Sequence, residues 1–330
     1  MSAAFLFPGQ GSQHPAMLRE LPATAAVSDT IAEATTTLDS DVESLDSPAA
    51  LASTVGSQLA LLIAGVAGAR TLAAAGARPG MVAGHSVGAF AAAVTADVID
   101  FRDALGVVAL RGRLMEDAYP SGYGMAVIVG LSERRVRSVL EEVSSDDEPV
   151  FTANINAPLQ IAIAGADRAI DRAIAHSRAA GAPRAERLAV PVPSHCPLLS
   201  PVADALAAAL AEIELRPPAV RYVGNRRARV LRTAEALREE LANGVAAPVR
   251  WHDATTVLFE LGARQFVEMP PGNVLTKLAA AAFPDARAVA AGDAGLGSAA
   301  VFVTRGIGAS TTGGPGSLSF DPATAGRSPG

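Results

Sequence analysis

The segment from Gly84 to Gly88 reads Gly-His-Ser-Val-Gly, between a short apolar strand and an alanine-rich stretch typical of a helix. This is the pattern of a nucleophile elbow, in which a serine occupies a sharp turn between strand and helix. The glycines leave room for the neighbouring elements, and the start of the following helix favours a developing oxyanion. The pattern therefore predicts Ser86 as a nucleophile, with an ordinary strand-to-helix turn as the alternative.

A nucleophilic serine needs a general base, and we predict His195 for that role. It follows the apolar, proline-containing run from Val190 to Ser194, which is stiff enough to hold a base in place. Cys196 beside it is interpreted as a small apolar filler, because successive side chains of an extended segment point to opposite sides. The same argument points His85 away from the serine. The histidines of the chain are His14, His85, His176, His195 and His252.

Arg111 lies in the helix predicted for 101–118. Each helical residue advances by about 100°, which places Arg111 on the same apolar face as Ala104 and Val107. A buried guanidinium is costly unless acceptors satisfy it. One interpretation is structural: an ion pair with a core Asp or Glu, or a side chain that extends its charged end to solvent. The other is a planar two-point clamp for a substrate carboxylate.

The loop from Pro8 to Gln13 reads Pro-Gly-Gln-Gly-Ser-Gln and follows the first predicted strand. It lacks the third glycine of a dinucleotide fingerprint and the Gly-Lys-Ser/Thr of a phosphate loop. The loop alone favours an ordinary turn; the second interpretation is that the Gln10 N–H lies beside the elbow and helps to bind an oxyanion. Metal-ligand spacings such as H-E-x-x-H do not occur, so neither a metal nor a permanently bound cofactor is predicted.

The elements that must position these residues alternate between strand and helix, which predicts an α/β fold. We expect one large domain built from 1–122 and 192–292. Between its two parts, 123–191 shows the β-α-β-β-α-β order of a ferredoxin-like unit and is expected to be an inserted subdomain. Gly, Ser, Thr and Pro dominate the end of the chain, so 293–330 is predicted to be a disordered tail.

The composition argues against several classes of protein. The chain has 330 residues, half of them hydrophobic, and a net charge of −6. That charge argues against nucleic acid as the main partner, which needs a clustered basic surface. The longest strictly apolar run, Leu59–Ala69, is too short to span a bilayer of about 30 Å. A single cysteine excludes an internal disulfide and favours a cytoplasmic location.

The motifs together resemble those of the malonyl-CoA:acyl-carrier-protein transacylase family, in order and spacing, over roughly 4–292. This resemblance implies a hydrolase-like parallel-sheet domain with the ferredoxin-like insert. The motifs are Phe7–Gln13, Gly84–Gly88, Leu110–Gly112 and Val192–Cys196.

The resemblance also implies roles for single residues. Ser86 is implied as the nucleophile and His195 as its base, Arg111 as the clamp for the malonyl carboxylate, and the N–H groups of Gln10 and Val87 as the oxyanion hole. The implied reaction is a ping-pong transfer of malonyl from malonyl-CoA, a coenzyme A thioester, to the prosthetic thiol of an acyl carrier protein.

Within the family, the sequence is similar to the epsilon subunit of malonate decarboxylase, which would prime the carrier subunit of that enzyme. A malonyl transacylase of fatty-acid synthesis is the alternative, and a serine hydrolase or thioesterase is a more distant one. The segments that resemble the epsilon subunit are Gly88–Ala93, Tyr119–Met125, Val249–Asp253 and Val267–Gly272.

Four features differ from the usual fatty-acid synthesis members. Those usually have Leu and Glu where this chain has Val87 and Ala89, and a Gly-Pro-Gly turn where it has Pro270-Pro271-Gly272. They also usually have a glutamine shortly before the position of Pro248, and its backbone carbonyl orients the histidine. Any residue can supply a carbonyl, so the resemblance leaves open which residue serves here.

Overall fold

The computed structural model describes residues 2–308, which alternate between strands and helices from end to end. The strands are β1 (Ser2–Phe7), β2 (Met81–Gly84), β3 (Tyr123–Val129), β4 (Val150–Ala157), β5 (Gln160–Ala166), β6 (Arg184–Arg187), β7 (Arg221–Val223), β8 (Val230–Leu231), β9 (Ala263–Glu268) and β10 (Arg287–Ala290). The helices are α1 (Ala25–Leu38), α2 (Pro48–Leu51), α3 (Thr54–Ala74), α4 (Gly88–Thr95), α5 (Phe101–Ala118), α6 (Glu133–Val143), α7 (Asp167–Ala179), α8 (Ser200–Ala211), α9 (Ala234–Asn243), α10 (Trp251–Glu260), α11 (Val274–Ala282), α12 (Ala291–Ala294) and α13 (Leu296–Gly308).

Six strands form the central sheet, in the order β10-β9-β1-β2-β7-β8. All neighbours run parallel except β8, which is antiparallel to β7. Phe7 pairs with Gly84, and Leu6 pairs with Glu268, so β1, β2 and β9 end at the same edge of the sheet. Open parallel sheets bind ligands outside the carboxyl ends of their strands, and that edge is therefore where a site is expected.

Helices cover both faces of this sheet, which is why its central strands are apolar on both sides. Phe5 and Phe7 of β1 pack into the core that contains α3, α4 and α5, whereas Ala4 and Leu6 face the core of α10 and α11. The alternation follows from the two-residue period of a strand.

Helix α3 is long and apolar enough to cross a membrane if only length and composition are considered. In the fold, 83% of its apolar window is buried inside the protein, against β1 and the neighbouring helices. Its hydrophobicity is therefore that of a core helix.

The second sheet is antiparallel, with the order β4-β5-β3-β6, and α6 and α7 pack on it. It has its own core, in which Ile128 and Ile163 of the sheet meet Val136 and Ile170 of the helices. All of these elements lie within 123–191, in the predicted β-α-β-β-α-β order. The predicted fold class, a parallel-sheet core with a separate antiparallel sheet, is confirmed.

The prediction of a disordered tail over 293–330 is wrong for its first part, because α13 lies there. Leu296, Ala299, Ala300 and Val303 of α13 are buried in the main core. Their spacing of three and four residues is that of one helical face, so packing outweighs the glycine- and serine-rich composition. The rest of the predicted tail, 309–330, lies outside the described residues.

Candidate active site

The predicted elbow is formed by the end of β2 and the start of α4, with Ser86 in the turn between them. Its φ of +55° is in the left-handed region, which is strained for a residue other than glycine. A Cβ on Gly84 would lie 2.1 Å from the backbone of Gly88, and a Cβ on Gly88 would lie 2.2 Å from the carbonyl oxygen of Phe7. Both glycines are therefore required by the close approach of β1, the turn and α4.

His195 is brought to the serine, as the sequence predicted. Its Nε2 lies 2.7 Å from Ser86 Oγ, and its Nδ1 lies 2.8 Å from the carbonyl oxygen of Gly244. A carbonyl can only accept, so Nδ1 carries the proton and Nε2 is left to accept the hydrogen bond of the serine hydroxyl. Gly244 thus supplies the orienting carbonyl that the sequence left unassigned.

The environment keeps His195 neutral. The side chain is buried, and this desolvation, together with the positive charge of Arg111, lowers the pKa of His195 to about 3, although the hydrogen bond to Gly244 opposes the shift. At neutral pH the imidazole therefore has a free lone pair, which a general base requires.

Arg111 projects from α5 toward the same serine and is only 2% exposed. Its Nη1 donates to Gln58 Oε1 at 2.5 Å, and its Nη2 lies 3.4 Å from Ser86 Oγ. Among residues 2–305 no carboxylate forms an ion pair with it, so the structural ion-pair interpretation is not supported. Burial lowers the pKa of Arg111 to about 10, which leaves the guanidinium charged at neutral pH.

Gln58 is a site residue that the sequence analysis missed. It is fully buried in α3, and besides accepting from Arg111 it donates from Nε2 to Gln10 Oε1 at 3.2 Å. A single amide side chain therefore joins the guanidinium to the loop that follows β1. The available signal was a lone glutamine immediately before the apolar run Leu59–Ala69.

The two predicted oxyanion-hole residues flank the serine. A Cβ on Gly9 would lie 3.2 Å from Ser86 Cβ, so the loop carrying Gln10 passes directly against the elbow. Val87 is the N-cap residue of α4, where backbone N–H groups lack helical partners. In the part of the chain that the structure describes, neither the Gln10 nor the Val87 N–H donates to a protein acceptor.

A cleft of about 370 Å³ opens between the large domain and the insert, beside the elbow. His85 lines it and faces the insert, with Nε2 3.0 Å from Asn156 Oδ1 and its ring edge-on to Trp251. Burial lowers the pKa of His85, so this histidine is a neutral contact between the domains. Cys196 is also no rival nucleophile, because burial raises the pKa of its thiol to about 12.

A serine hydroxyl that meets a neutral histidine on one side and a buried guanidinium on the other is an arrangement suited to an acyltransferase. Comparison with known proteins agrees: the acyl transferase domain model matches residues 4–296. The malonyl-CoA-acyl carrier protein transacylase of Escherichia coli K12 is 41% identical over 281 residues, which cover 83% of this chain and 91% of that protein. The Bacillus subtilis transacylase is 34% identical over 283 residues, covering 83% of this chain and 88% of that protein.

Solved structures show the same relationship. The malonyl CoA-acyl carrier protein transacylase of Coxiella burnetii superposes with a TM-score of 0.88 at 35% identity, covering 92% of this chain and 98% of that one. A malonyl-transacylase in complex with a type II polyketide acyl-carrier protein gives 0.84 at 40% identity, covering 88% and 96%. The chain belongs to the malonyl-CoA:acyl-carrier-protein transacylase family and is an acyltransferase.

Proposed function

We propose that this chain transfers malonyl from malonyl-CoA to an acyl carrier protein of fatty-acid synthesis, through a malonyl ester on Ser86. The observation that supports it most is the convergence of two groups on one atom. Ser86 Oγ lies 2.7 Å from a neutral His195 and 3.4 Å from the guanidinium of Arg111, which has no carboxylate partner among residues 2–305. The first group activates the serine, and the second selects an acyl group that ends in a carboxylate.

In the first half-reaction His195 Nε2 takes the proton of Ser86 as Oγ attacks the thioester carbonyl. The tetrahedral oxyanion is stabilised by the N–H groups of Gln10 and Val87, which have no competing protein acceptor among the described residues. The C–S bond then breaks, the leaving sulfur takes the proton from His195, and free coenzyme A departs. A malonyl-serine ester and a neutral imidazole remain.

The second half-reaction reverses these steps with another thiol. The prosthetic arm of the carrier protein enters, His195 takes its proton, and the sulfur attacks the ester carbonyl. Collapse of the second tetrahedral species returns the proton to Ser86 Oγ and releases the malonyl-carrier thioester. The cleft of about 370 Å³ beside the elbow offers a path along which each thiol in turn would reach Ser86.

The identity of the carrier separates the two candidate pathways. The segments similar to the malonate decarboxylase epsilon subunit favour the carrier subunit of that enzyme. The relatives found by comparison are named malonyl-CoA-acyl carrier protein transacylases, and they favour the fatty-acid alternative. We take the second as the better supported.

A carrier competition tests this proposal. The protein is incubated with radiolabelled malonyl-CoA and either the phosphopantetheinylated carrier of fatty-acid synthesis or the decarboxylase carrier subunit. We expect label on the first carrier, and no label with Ser86→Ala. Labelling of the decarboxylase carrier alone would reverse the choice of pathway, and release of free malonate without carrier labelling would indicate a hydrolase.

A further inference from the structure

Glu240 is a buried carboxylate close to the dyad that the reaction as described does not use. It lies in α9, is 6% exposed, and makes no ion pair within residues 2–305. It lines the same small cavity as Ser86 and His195. A buried carboxylate without a cation is costly, so its retention needs a reason.

The carboxylate of Glu240 is connected to the nucleophile. Its Oε1 accepts the backbone N–H of Asn225 at 2.5 Å and that of Arg226 at 3.0 Å. The side chain of Asn225 in turn donates from Nδ2 to the carbonyl oxygen of Gly84 at 2.7 Å. Gly84 ends β2, two residues before Ser86. Glu240 therefore fixes the loop that carries Asn225, and the side-chain amide of Asn225 holds the strand end from which the elbow begins.

The backbone of the same residue is connected to the base. The carbonyl oxygen of Glu240 accepts the N–H of Gly244 at 2.9 Å, which fixes the end of α9. The carbonyl oxygen of Gly244 accepts from Nδ1 of His195, and the carbonyl oxygen of Val245 accepts from the backbone N–H of His195, each at 2.8 Å. One residue thus lies at the junction of two hydrogen-bonded paths, one to each member of the dyad.

The residues around Glu240 are closely packed. A Cβ on Gly224 would lie 2.8 Å from both Cδ and Oε1 of Glu240, so a larger residue at 224 would displace the carboxylate from this position. Asn225 is 5% exposed, and its carbonyl oxygen accepts from the N–H of Arg250. The loop is therefore held from both sides, and the carboxylate of Glu240 binds two of its backbone N–H groups.

We propose that Glu240 is a positioning residue that, through Asn225 and Gly84, sets the approach of Ser86 Oγ to His195. The proposal rests on the proposed function, in which these two residues form the catalytic dyad. Both side-chain hydrogen bonds go to one oxygen, Oε1. An amide oxygen can accept the same two bonds, so the role requires an acceptor and not a negative charge.

The test measures the reactivity of Ser86 separately from substrate binding. Phenylmethylsulfonyl fluoride, a small sulfonylating probe, reports activation of the serine, and rapid-quench mass spectrometry reports formation of the malonyl ester. We expect Glu240→Ala to slow sulfonylation and ester formation by roughly tenfold or more, with KM for malonyl-CoA unchanged. Displacing a reacting group by about 1 Å lowers reaction rates by a factor of this size or larger. Glu240→Gln should restore most of the rate without moving the pH profile.

Asn225→Ala should reproduce the loss, and combining it with Glu240→Ala should add little, because the two residues act in one path. Glu235→Gln is the matched control: it lies on the same helix, its side chain is exposed, and it should leave both rates unchanged. Asn225→Ala also serves as the test if Glu240→Ala fails to fold.

Three results would overturn the proposal. The first is a folded Glu240→Ala protein that reacts at wild-type rates, and the second is an Asn225→Ala protein that does so. The third is a Glu240→Gln protein that is as slow as the alanine variant and has a shifted pH profile. That third result would assign the effect to the charge of Glu240. A wild-type protein that forms no ester at Ser86 would instead refute the proposed function, so the two failures are distinguishable.

Discussion

Ser86 and His195 are 2.7 Å apart at Oγ and Nε2, and both have a left-handed backbone, with φ of +55° and +64°. Non-glycine residues in that region cost of the order of 1–3 kcal/mol each and persist only where the surroundings hold them. Here the surroundings are hydrogen bonds to Gly244 and Val245 for the histidine and close-packed glycines for the serine. The dyad is therefore preorganised before substrate binds.

Ser86→Ala should abolish the covalent malonyl-enzyme and leave the fold intact. Alanine fits the turn without a clash and tolerates the positive φ about as well as serine does. Intact-mass spectrometry after brief exposure to malonyl-CoA should show the adduct in the wild type only. Ser138→Ala, in the insert, is the control and should acquire the adduct normally. An adduct of equal yield on the Ser86→Ala protein would remove Ser86 as the nucleophile.

The glycines of the fold predict stability changes of opposite sign. Gly88→Ala should destabilise the protein severely, because the new Cβ would lie 2.2 Å from the backbone oxygen of Phe7. Gly106→Ala should stabilise it by about 0.5–1 kcal/mol, because Gly106 lies within α5 with no atom near the new Cβ. Thermal unfolding followed by circular dichroism measures both, and equal shifts in one direction would contradict the packing argument.

The sequence predicted those parts of the site that have a local or periodic signal. The elbow is a five-residue pattern, and Arg111 follows from helical phase within a single element. Gly244 has no such signal, because its contribution is a backbone carbonyl that any residue can supply. The role of Glu240 depends on a loop fifteen residues earlier in the chain, a contact that only the folded structure shows.

The secondary-structure elements show the same difference between segments with a clear local signal and segments without one. The order of the insert was predictable because each strand and helix has its own period. Trp251, Ala254 and Leu258 of α10 are buried at helical spacing, but the resemblance of Val249–Asp253 to a family motif predicts no secondary structure by itself. In α13 the buried positions include alanines, whose weak hydrophobic pattern was hidden by the small and polar residues around them.

The rate of acylation should stay nearly constant as the pH falls through the usual range of histidine. An ordinary imidazole is protonated below about pH 6.5, whereas burial and the charge of Arg111 lower the pKa of His195 to about 3. The acid limb of kcat/KM should therefore lie well below 6.5, and a limb near 6.5 would show that His195 is solvated in solution. Arg111→Ala removes a like charge and should move this limb to higher pH.

Arg111 distinguishes malonyl transfer from general acyl transfer. Its guanidinium is buried with only neutral partners among the described residues, 3.4 Å from Ser86 Oγ, so a substrate carboxylate would complete the pairing. Charge-assisted bonds of this kind contribute roughly 1.5–3 kcal/mol, so Arg111→Ala should lower kcat/KM for malonyl-CoA by about tenfold to more than a hundredfold. Acetyl-CoA, which has no carboxylate, should react as fast or faster.

Arg111→Lys should rescue malonyl transfer only in part, because an ammonium cannot make the planar two-point contact. Parallel losses for both substrates, with a lower melting temperature, would instead make Arg111 a structural residue that holds Gln58.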